Sequence, residues 1–204
     1  MIYMHGRGYA HLDLKPSNLL LDASKKIVKV ADFGLAVFGY DRATGEPIRL
    51  PPGGGTLLFQ PPEVLIQIPK AARQSGDPED FCPFAADVWA MGLILYFLLN
   101  RGHYPFGDLG WARELTPREL ANAITRAMIG NSLKFHNRRL SYKAKSLVLR
   151  MLHLDSKARP EMWQIYEEPW LVKIRKVKKK NLLRRMAKRV SSAVSSIRSS
   201  LRRK

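Results

Sequence analysis

The sequence predicts a mainly α-helical domain that contains one small β-hairpin near its start and continues into a basic extension. Residues 87–99 are apolar on nearly every side, as expected of a helix buried in the centre of a domain. Three later segments show the helical spacing of apolar residues and are predicted to be helices: 117–128, 141–152 and 160–166. The extension, 172–204, is predicted to be an amphipathic basic helix or a disordered tail.

The part before the central helix is predicted to alternate short elements with turns. Residues 2–10 have the pattern of a helix end, with glycines at its exit. Two short apolar runs, 19–21 and 27–30, flank the polar turn 22–25, which predicts a β-hairpin. Two stretches rich in turn-forming residues are predicted to be irregular: a loop at 35–55 and a surface insertion at 68–83.

The composition allows an ordinary core and excludes several classes of protein. The hydrophobic fraction is 46%, and the single cysteine, Cys82, excludes a disulfide framework and a cysteine-based zinc site. We expect the Cys82 thiol to be buried or half-buried. The longest apolar run, 91–99, is far shorter than the ~20 residues of a membrane span, and no secretory signal opens the sequence. We expect an intracellular protein, cytoplasmic or nuclear, with peripheral membrane association left open.

The formal net charge of +18 is concentrated at one end of the chain. The segment 172–204 contains 14 Lys and Arg and no acidic residue, so residues 1–171 carry only +4. The isoelectric point therefore gives no support to nucleic-acid binding by the main domain.

Two short motifs contain the groups needed for phosphoryl transfer. Residues 11–18 are His-Leu-Asp-Leu-Lys-Pro-Ser-Asn, and residues 32–34 are Asp-Phe-Gly. They supply four groups at spacings that suit transfer from a metal-bound nucleotide: the carboxylate of Asp13, the ammonium of Lys15, the amide of Asn18 and the carboxylate of Asp32.

These motifs resemble the catalytic loop and the metal-binding turn of the eukaryotic protein kinases. Further segments are similar to later landmarks of that family and occur in the same order: 55–63 at the end of the activation segment, 87–92 at the start of the central helix, 104–107, 155–160 and 169–171. The resemblance covers about residues 3–171. It implies a domain at 1–171 with the fold of the C-terminal lobe of a kinase, followed by the tail 172–204.

The resemblance assigns a role to each catalytic residue. Asp13 would orient the acceptor hydroxyl and take its proton, and Lys15 would offset charge on the transferred phosphoryl group. Asn18 and Asp32 would bind Mg²⁺ through oxygen atoms. Thr56 would form hydrogen bonds near Asp13 and Lys15. Lys15 together with Thr56 is typical of the branch that phosphorylates serine and threonine.

The same resemblance implies which residues contact ATP and which hold the site together. Leu20 would lie beneath the adenine, and the full set of ATP contacts is Lys15, Ser17, Asn18, Leu20, Ala31 and Asp32. Glu63 would pair with Arg159, and Asp87 would accept hydrogen bonds from the backbone of the catalytic loop. We expect His11 to pack behind Phe33.

The sequence departs from the family pattern in the catalytic loop and the activation segment. Leu12 stands where most members have an arginine that binds a phosphate on the activation loop. Pro51 and Pro52 occupy the stretch where a phosphorylated residue would be expected, and Thr44 lies farther upstream. Pro61 replaces the usual small residue before Pro-Glu. The departures at Leu12 and at Pro51 and Pro52 agree with each other and predict a protein that is not activated by phosphorylation of this loop.

The family also has catalytic parts that precede the helix in which this sequence begins. They are a glycine-rich loop over the phosphates, a strand lysine and a helix glutamate. The glycine run 53–55 is no substitute, because neither a lysine nor a helix start follows it. We therefore expect this sequence to be part of a longer gene product.

The tail has an apolar stripe at three- and four-residue steps, formed by Leu183, Met186, Val190, Val194, Ile197 and Leu201. Such a segment could lie on an anionic membrane, bind calmodulin, act as a nuclear import signal, or be a solvated basic helix without a dedicated partner. Nucleic-acid binding is disfavoured, because no aromatic residue follows Trp170 to stack on bases.

The function predicted from these residues is ATP- and Mg²⁺-dependent phosphorylation of Ser or Thr hydroxyls in protein substrates. The alternative is a catalytically silent, pseudokinase-like docking module that the basic tail localises. The four catalytic positions, all retained, favour the enzyme, whereas the parts that the family has upstream, and this chain lacks, favour the docking module.

Overall fold

The computed structural model describes residues 1–24, 26–41, 43–45, 48, 50–51, 53–68, 81–106, 114–130 and 133–172. The chain divides into two compact units, Met1–Ile165 and Tyr166–Lys204. The predicted tail helix at 173–204 lies outside the described residues. The predicted domain boundary after residue 171 stays a prediction.

The described part is mainly helical, as predicted. The helices are α1 (Ile2–Gly6), α2 (Pro62–Leu65), α3 (Pro83–Leu99), α4 (Pro117–Ile129), α5 (Tyr142–Met151) and α6 (Met162–Glu167). The strands are β1 (Tyr9–Ala10), β2 (Leu19–Leu21), β3 (Val28–Val30) and β4 (Val37–Phe38). Single 3₁₀ turns occur at Pro16–Asn18, Leu57–Phe59 and Ser156–Ala158.

Helix α3 is the centre of the core. Ten of its 17 residues are buried, and they are distributed around the helix, as its apolar sequence predicts. It begins four residues earlier than predicted, because Pro83 suits the first turn, where the backbone needs no N–H donor. Gly92 lets helix α5 approach closely, since a Cβ there would lie 2.8 Å from Leu152 Cδ2.

Helices α4 and α5 begin at side-chain caps close to the predicted positions. The Thr116 hydroxyl accepts from the Glu119 N–H at 3.3 Å, and the Thr116 N–H donates to Glu119 Oε2 at 2.8 Å. This reciprocal capping box satisfies N–H groups that the first helical turn leaves unpaired. Ser141 caps α5 by accepting from the Ala144 N–H at 3.3 Å.

The predicted hairpin is present directly after the catalytic loop. Strands β2 and β3 pair antiparallel, with Leu19 opposite Val30 and Leu21 opposite Val28. The Asp22 carboxylate accepts from the backbone N–H of Lys26 at 2.9 Å and of residue 27 at 3.0 Å, which closes the turn.

The prediction of an irregular loop over 35–55 was wrong in part. Strand β4 pairs antiparallel with β1, and Leu50 forms a β-bridge with Phe81. Both pairings join segments that are far apart in sequence, so no local sequence pattern predicts them. Phe81 and Pro83 were assigned to a surface insertion but are buried, while residues 69–80 lie outside the described residues. Cys82 is half-buried, as expected.

In the part of the chain that the structure describes, no helix is both long and apolar enough to cross a membrane.

Candidate active site

The catalytic loop is fixed to the central helix through one buried carboxylate. Asp87, on α3, accepts from the His11 N–H at 2.7 Å and from the Leu12 N–H at 2.8 Å. The predicted role of Asp87 as anchor of this backbone is confirmed. The sequence did not indicate its third partner, His5 Nε2, which lies 2.9 Å from Asp87 Oδ2 and comes from helix α1.

Two residues of the site adopt a backbone conformation that side chains normally avoid. Leu12 and Asp32 both have φ of 63°, in the left-handed region. Non-glycine residues there cost ~1–2 kcal/mol each, so the surrounding contacts must hold them. The ring of Phe33, next to Asp32, packs on His11 with centroids 5.2 Å apart, as expected.

Four residues with predicted catalytic roles meet around the Asp13 carboxylate: Asp13 itself, Lys15, Asn18 and Thr56. Oδ1 accepts from the Thr56 N–H at 3.0 Å and from the Thr56 hydroxyl at 2.8 Å. Oδ2 accepts from Lys15 Nζ at 2.7 Å, and Lys15 also donates to the Thr56 hydroxyl at 3.0 Å. Asn18 Nδ2 donates to the Asp13 backbone carbonyl at 2.9 Å. The hydrogen bonds expected of Thr56 are confirmed, whereas the chemical roles of the four stay predictions.

This network favours the ionised form of Asp13. Burial by itself would raise the pKa of Asp13, but the hydrogen bonds from Lys15 and Thr56 and the charge of Lys15 outweigh it, so the net pKa lies below the usual value of 3.8. At neutral pH the carboxylate therefore accepts hydrogen bonds and can accept a proton.

Asn18 and Asp32 supply oxygen donors suited to Mg²⁺. Because Asn18 Nδ2 donates to Asp13, the amide oxygen is the atom available for a cation. Asp32 is exposed, and among the described residues its carboxylate accepts a long contact, 3.5 Å, from the Gly34 N–H. The described residues contain no group of three or more His, Cys, Asp or Glu side chains that could hold a metal. Mg²⁺ with few protein ligands fits this set, because it usually takes one or two carboxylates and completes its shell with water and phosphate.

The residues predicted to contact ATP lie on the loop and the hairpin. Ser17 is exposed on the 3₁₀ turn, and Leu20 is 52% exposed on β2, so both can contact a ligand. Ala31, just after β3, donates its N–H to the Asn18 carbonyl at 2.9 Å. Its carbonyl accepts from His11 Nε2 at 3.0 Å. These bonds join the hairpin to the catalytic loop, while contact with a nucleotide stays a prediction.

The predicted pair of Glu63 and Arg159 is confirmed. The guanidinium contacts both carboxylate oxygens, Nη1 to Oε1 at 2.7 Å and Nη2 to Oε2 at 2.8 Å. Arg159 also donates to the carbonyls of His153 at 2.8 Å and Ala85 at 3.2 Å, and it lies 4.9 Å from the centroid of the Trp89 ring. The pair fixes α2, and with it the end of the segment that contains Thr56.

Gln60 is a further buried residue of the site that the sequence did not indicate. It is 8% exposed, and its Nε2 donates to the Gly54 carbonyl. Gly55 follows with φ of 76°, and a Cβ there would lie 2.7 Å from the Leu12 carbonyl. The glycine run was the sequence signal for this close contact, since only glycine can combine a φ of this sign with so close an approach to the Leu12 carbonyl.

Comparison with known proteins identifies the family. The family model described as protein kinase domain matches residues 1–171. The chain belongs to the protein kinase family. Its fold is therefore that of the kinase C-terminal lobe, as the resemblance implied.

Among curated relatives, MAP kinase-interacting serine/threonine-protein kinase 1 of Xenopus tropicalis is 30% identical over 182 residues, which covers 83% of this chain and 42% of that protein. Calcium-dependent protein kinase 9 of Oryza sativa subsp. japonica is 36% identical over 172 residues, covering 82% of this chain and 25% of that protein. Ribosomal protein S6 kinase alpha-2 of Homo sapiens is 33% identical over 178 residues, which covers 84% of this chain and 21% of that protein. The chain thus spans less than half the length of these relatives.

Proposed function

We propose that this chain forms part of the catalytic site of an ATP- and Mg²⁺-dependent kinase that phosphorylates Ser and Thr hydroxyls of intracellular proteins. The observation that supports this best is the Asp13 carboxylate, held between Lys15 and Thr56 with Asn18 beside it. A purely structural carboxylate would not require an ammonium, a hydroxyl and an amide at one point.

Each residue of the site has a separate role in phosphoryl transfer. Asp13 orients the acceptor hydroxyl and accepts its proton at a carboxylate oxygen while the hydroxyl oxygen bonds to phosphorus and the bond to the leaving phosphate breaks. Lys15, already at 2.7 Å from Asp13, offsets the negative charge of the transferred group. Asn18 and Asp32 would hold Mg²⁺, which supplies charge neutralisation at the phosphates.

Nucleotide binding tests this proposal first. We expect Mg·ATP to raise the melting temperature of the 204-residue protein, and neither ATP with a chelator nor Mg·ATP with the Asp32→Ala variant to do so. Glu114→Ala, which removes an exposed carboxylate outside the site, serves as the matched control and should keep the shift. A wild-type shift that persists without Mg²⁺ or in Asp32→Ala would contradict the assigned metal ligands.

Phosphotransfer to a generic protein substrate tests the catalytic role separately. Asp13→Asn keeps the shape but loses the proton acceptor, so we expect at least about a hundredfold loss of rate with nucleotide binding retained. Equal rates for wild type and Asp13→Asn would exclude Asp13 as the base.

A docking module without catalytic activity is the second candidate. Several large apolar side chains near the hairpin are more than half exposed, which is typical of a surface that binds another protein segment: Leu20, Leu21, Val28 and Phe33. A cooperatively folded protein that shows no Mg·ATP shift and no phosphotransfer would favour this candidate.

We also propose an anionic membrane or calmodulin as the partner of the basic tail, 172–204. Its 14 basic residues and apolar stripe suit both partners. Co-sedimentation with vesicles that contain phosphatidylserine, compared with Ca²⁺-dependent retention on calmodulin, distinguishes the two, and a protein truncated after residue 171 is the control.

A further inference from the structure

A small apolar cluster lies directly beside the catalytic carboxylate. Val64, Phe81 and Ala86 are buried at its centre, and the half-buried side chains of Leu12 and Leu50 pack against them. Its members come from the catalytic loop, the segment that follows Asp-Phe-Gly, helices α2 and α3, and the residues just before α3. Leu12, Leu50 and Phe81 are called the latch below.

The backbone joins two members of the latch. The Leu50 N–H donates to the Phe81 carbonyl at 3.1 Å, and the Phe81 N–H donates to the Leu50 carbonyl at 2.9 Å. Phe81 is only 7% exposed. The reciprocal bonds and the buried ring fix the chain at Leu50, six residues before Thr56.

The two glycines directly before Thr56 are held by contacts with the catalytic loop and with Gln60. Gly55 passes so close to the Leu12 carbonyl that no side chain would fit, and Gln60 donates to the Gly54 carbonyl from the other side. The next residue, Thr56, then reaches Asp13 with both its N–H and its hydroxyl. The close approach to Leu12, a member of the latch, thus restricts where Thr56 can lie.

The surroundings of the latch do not suit a phosphate. A small cavity beside it is lined by apolar residues, by Thr56 and Gln60, and by two acidic residues, Asp13 and Asp87. None of the described residues that line it is a lysine or an arginine. A phosphate entering this space would lie beside two carboxylates, and none of the described residues that line the cavity carries a positive charge. Burial of apolar surface, by contrast, requires no modification.

We propose that the latch positions Thr56 at Asp13 by apolar packing alone, so that the catalytic geometry is complete without phosphate on residues 32–56. Leu12, Leu50 and Phe81 are positioning residues, because they act on the reacting groups only through Thr56. The consequence for activity rests on the proposed kinase function, whereas the consequence for the structure does not.

Amide hydrogen exchange of the unphosphorylated 204-residue protein tests the positioning without an activity assay. We expect protection of the N–H groups of Leu50, Phe81 and Thr56. Leu12→Ala and Phe81→Ala should speed exchange at Thr56 at least about tenfold, and Phe81→Leu, which keeps an apolar side chain, should restore most of the protection. Ile129→Ala, which removes a 74% exposed side chain from α4, is the matched control and should change nothing at Thr56.

Amides in the centre of α3 report whether each variant is still folded. Unchanged exchange at Thr56 in both alanine variants would overturn the proposal. It would equally be overturned if Thr56 became protected in the wild type only after phosphorylation, with a phosphate mapped between residues 32 and 56.

Kinetics extend the test to catalysis. The latch variants should lose about tenfold in kcat while KM for ATP changes less than about twofold, since the nucleotide contacts lie elsewhere. Phosphatase treatment should leave the wild-type rate unchanged. If the wild type transfers no phosphate but exchange at the Thr56 amide speeds up in the alanine variants, the kinase proposal is wrong and the positioning role of the latch is supported. If exchange at the Thr56 amide is unchanged in those variants, the positioning role of the latch is wrong, whatever the rate of phosphotransfer.

Discussion

Replacing Glu63 with alanine is expected to destabilise the protein strongly, because it removes the counter-ion of a buried guanidinium. The Arg159 side chain is 1% exposed, and that of Glu63 is 28% exposed. Both carboxylate oxygens are in contact with the guanidinium, at 2.7 and 2.8 Å. Without Glu63, the positive charge stays in a site from which water is largely excluded.

The size of the loss of stability depends on the contacts that Arg159 keeps when Glu63 is replaced. Loss of one partner of a buried ion pair costs ~3–5 kcal/mol. Arg159 keeps its bonds to the carbonyls of His153 and Ala85 and its contact with the Trp89 ring, and water can enter where Glu63 was partly exposed. We therefore expect the lower end, about 3 kcal/mol, which corresponds to a fall in melting temperature of about 6–12 °C for a chain of this size. Glu63→Gln keeps one acceptor oxygen and should cost about half as much.

Urea denaturation measures this free energy, with Glu114→Ala as the control for loss of an exposed carboxylate. A double-mutant cycle with Arg159→Met isolates the pair, and we expect a coupling of about 2 kcal/mol. The coupling should change little between low and high salt, since a buried pair is poorly screened. Additivity of the two single changes within about 0.5 kcal/mol would refute the reasoning.

Three further changes test other contacts. Gly92→Ala should destabilise by about 1–3 kcal/mol in thermal melts, although alanine favours helices, because its Cβ would lie 2.8 Å from Leu152 Cδ2. Lys15→Met should raise the pKa of Asp13 in a carbon-13 NMR titration. The stability that Asp13 contributes is present above its unfolded pKa of 3.8 and is lost as pH falls through the lower folded pKa. In the variant the folded pKa lies closer to 3.8, so the acid-induced loss of stability should be smaller and should be complete at a higher pH. Asp87→Asn replaces an acceptor with a donor opposite backbone N–H groups and should cost about 2–3 kcal/mol in urea melts.

Elements defined by neighbouring residues could be predicted from the sequence. The hairpin was predicted because two apolar runs flank a turn that Asp22 closes with its own neighbours. Helices α4 and α5 were located within one or two residues, since their caps at Thr116 and Ser141 and their apolar faces are local features. The all-round apolar sequence of α3 likewise indicated a central position.

Elements that depend on distant residues were missed. Strands β1 and β4 are two residues long, too short for an alternating pattern, and each exists only because it pairs with the other. The bridge between Leu50 and Phe81 joins two stretches that were assigned to loops. His5 and Gln60 were overlooked for the same reason, because nothing near them in sequence indicates a buried partner.

The sequence by itself determined the chemical groups of the site and their order, because spacing within 11–18 and 32–34 is set by covalent geometry. The contact of the Thr56 hydroxyl with a carboxylate 43 positions away, and that of Arg159 with one 96 positions away, were implied only by the family resemblance, and the tertiary structure supplied their geometry. It also decided that Leu12, a departure from the family pattern, packs in an apolar cluster. Such contacts come from packing around α3, where burial of apolar surface selects the neighbours that no local pattern specifies.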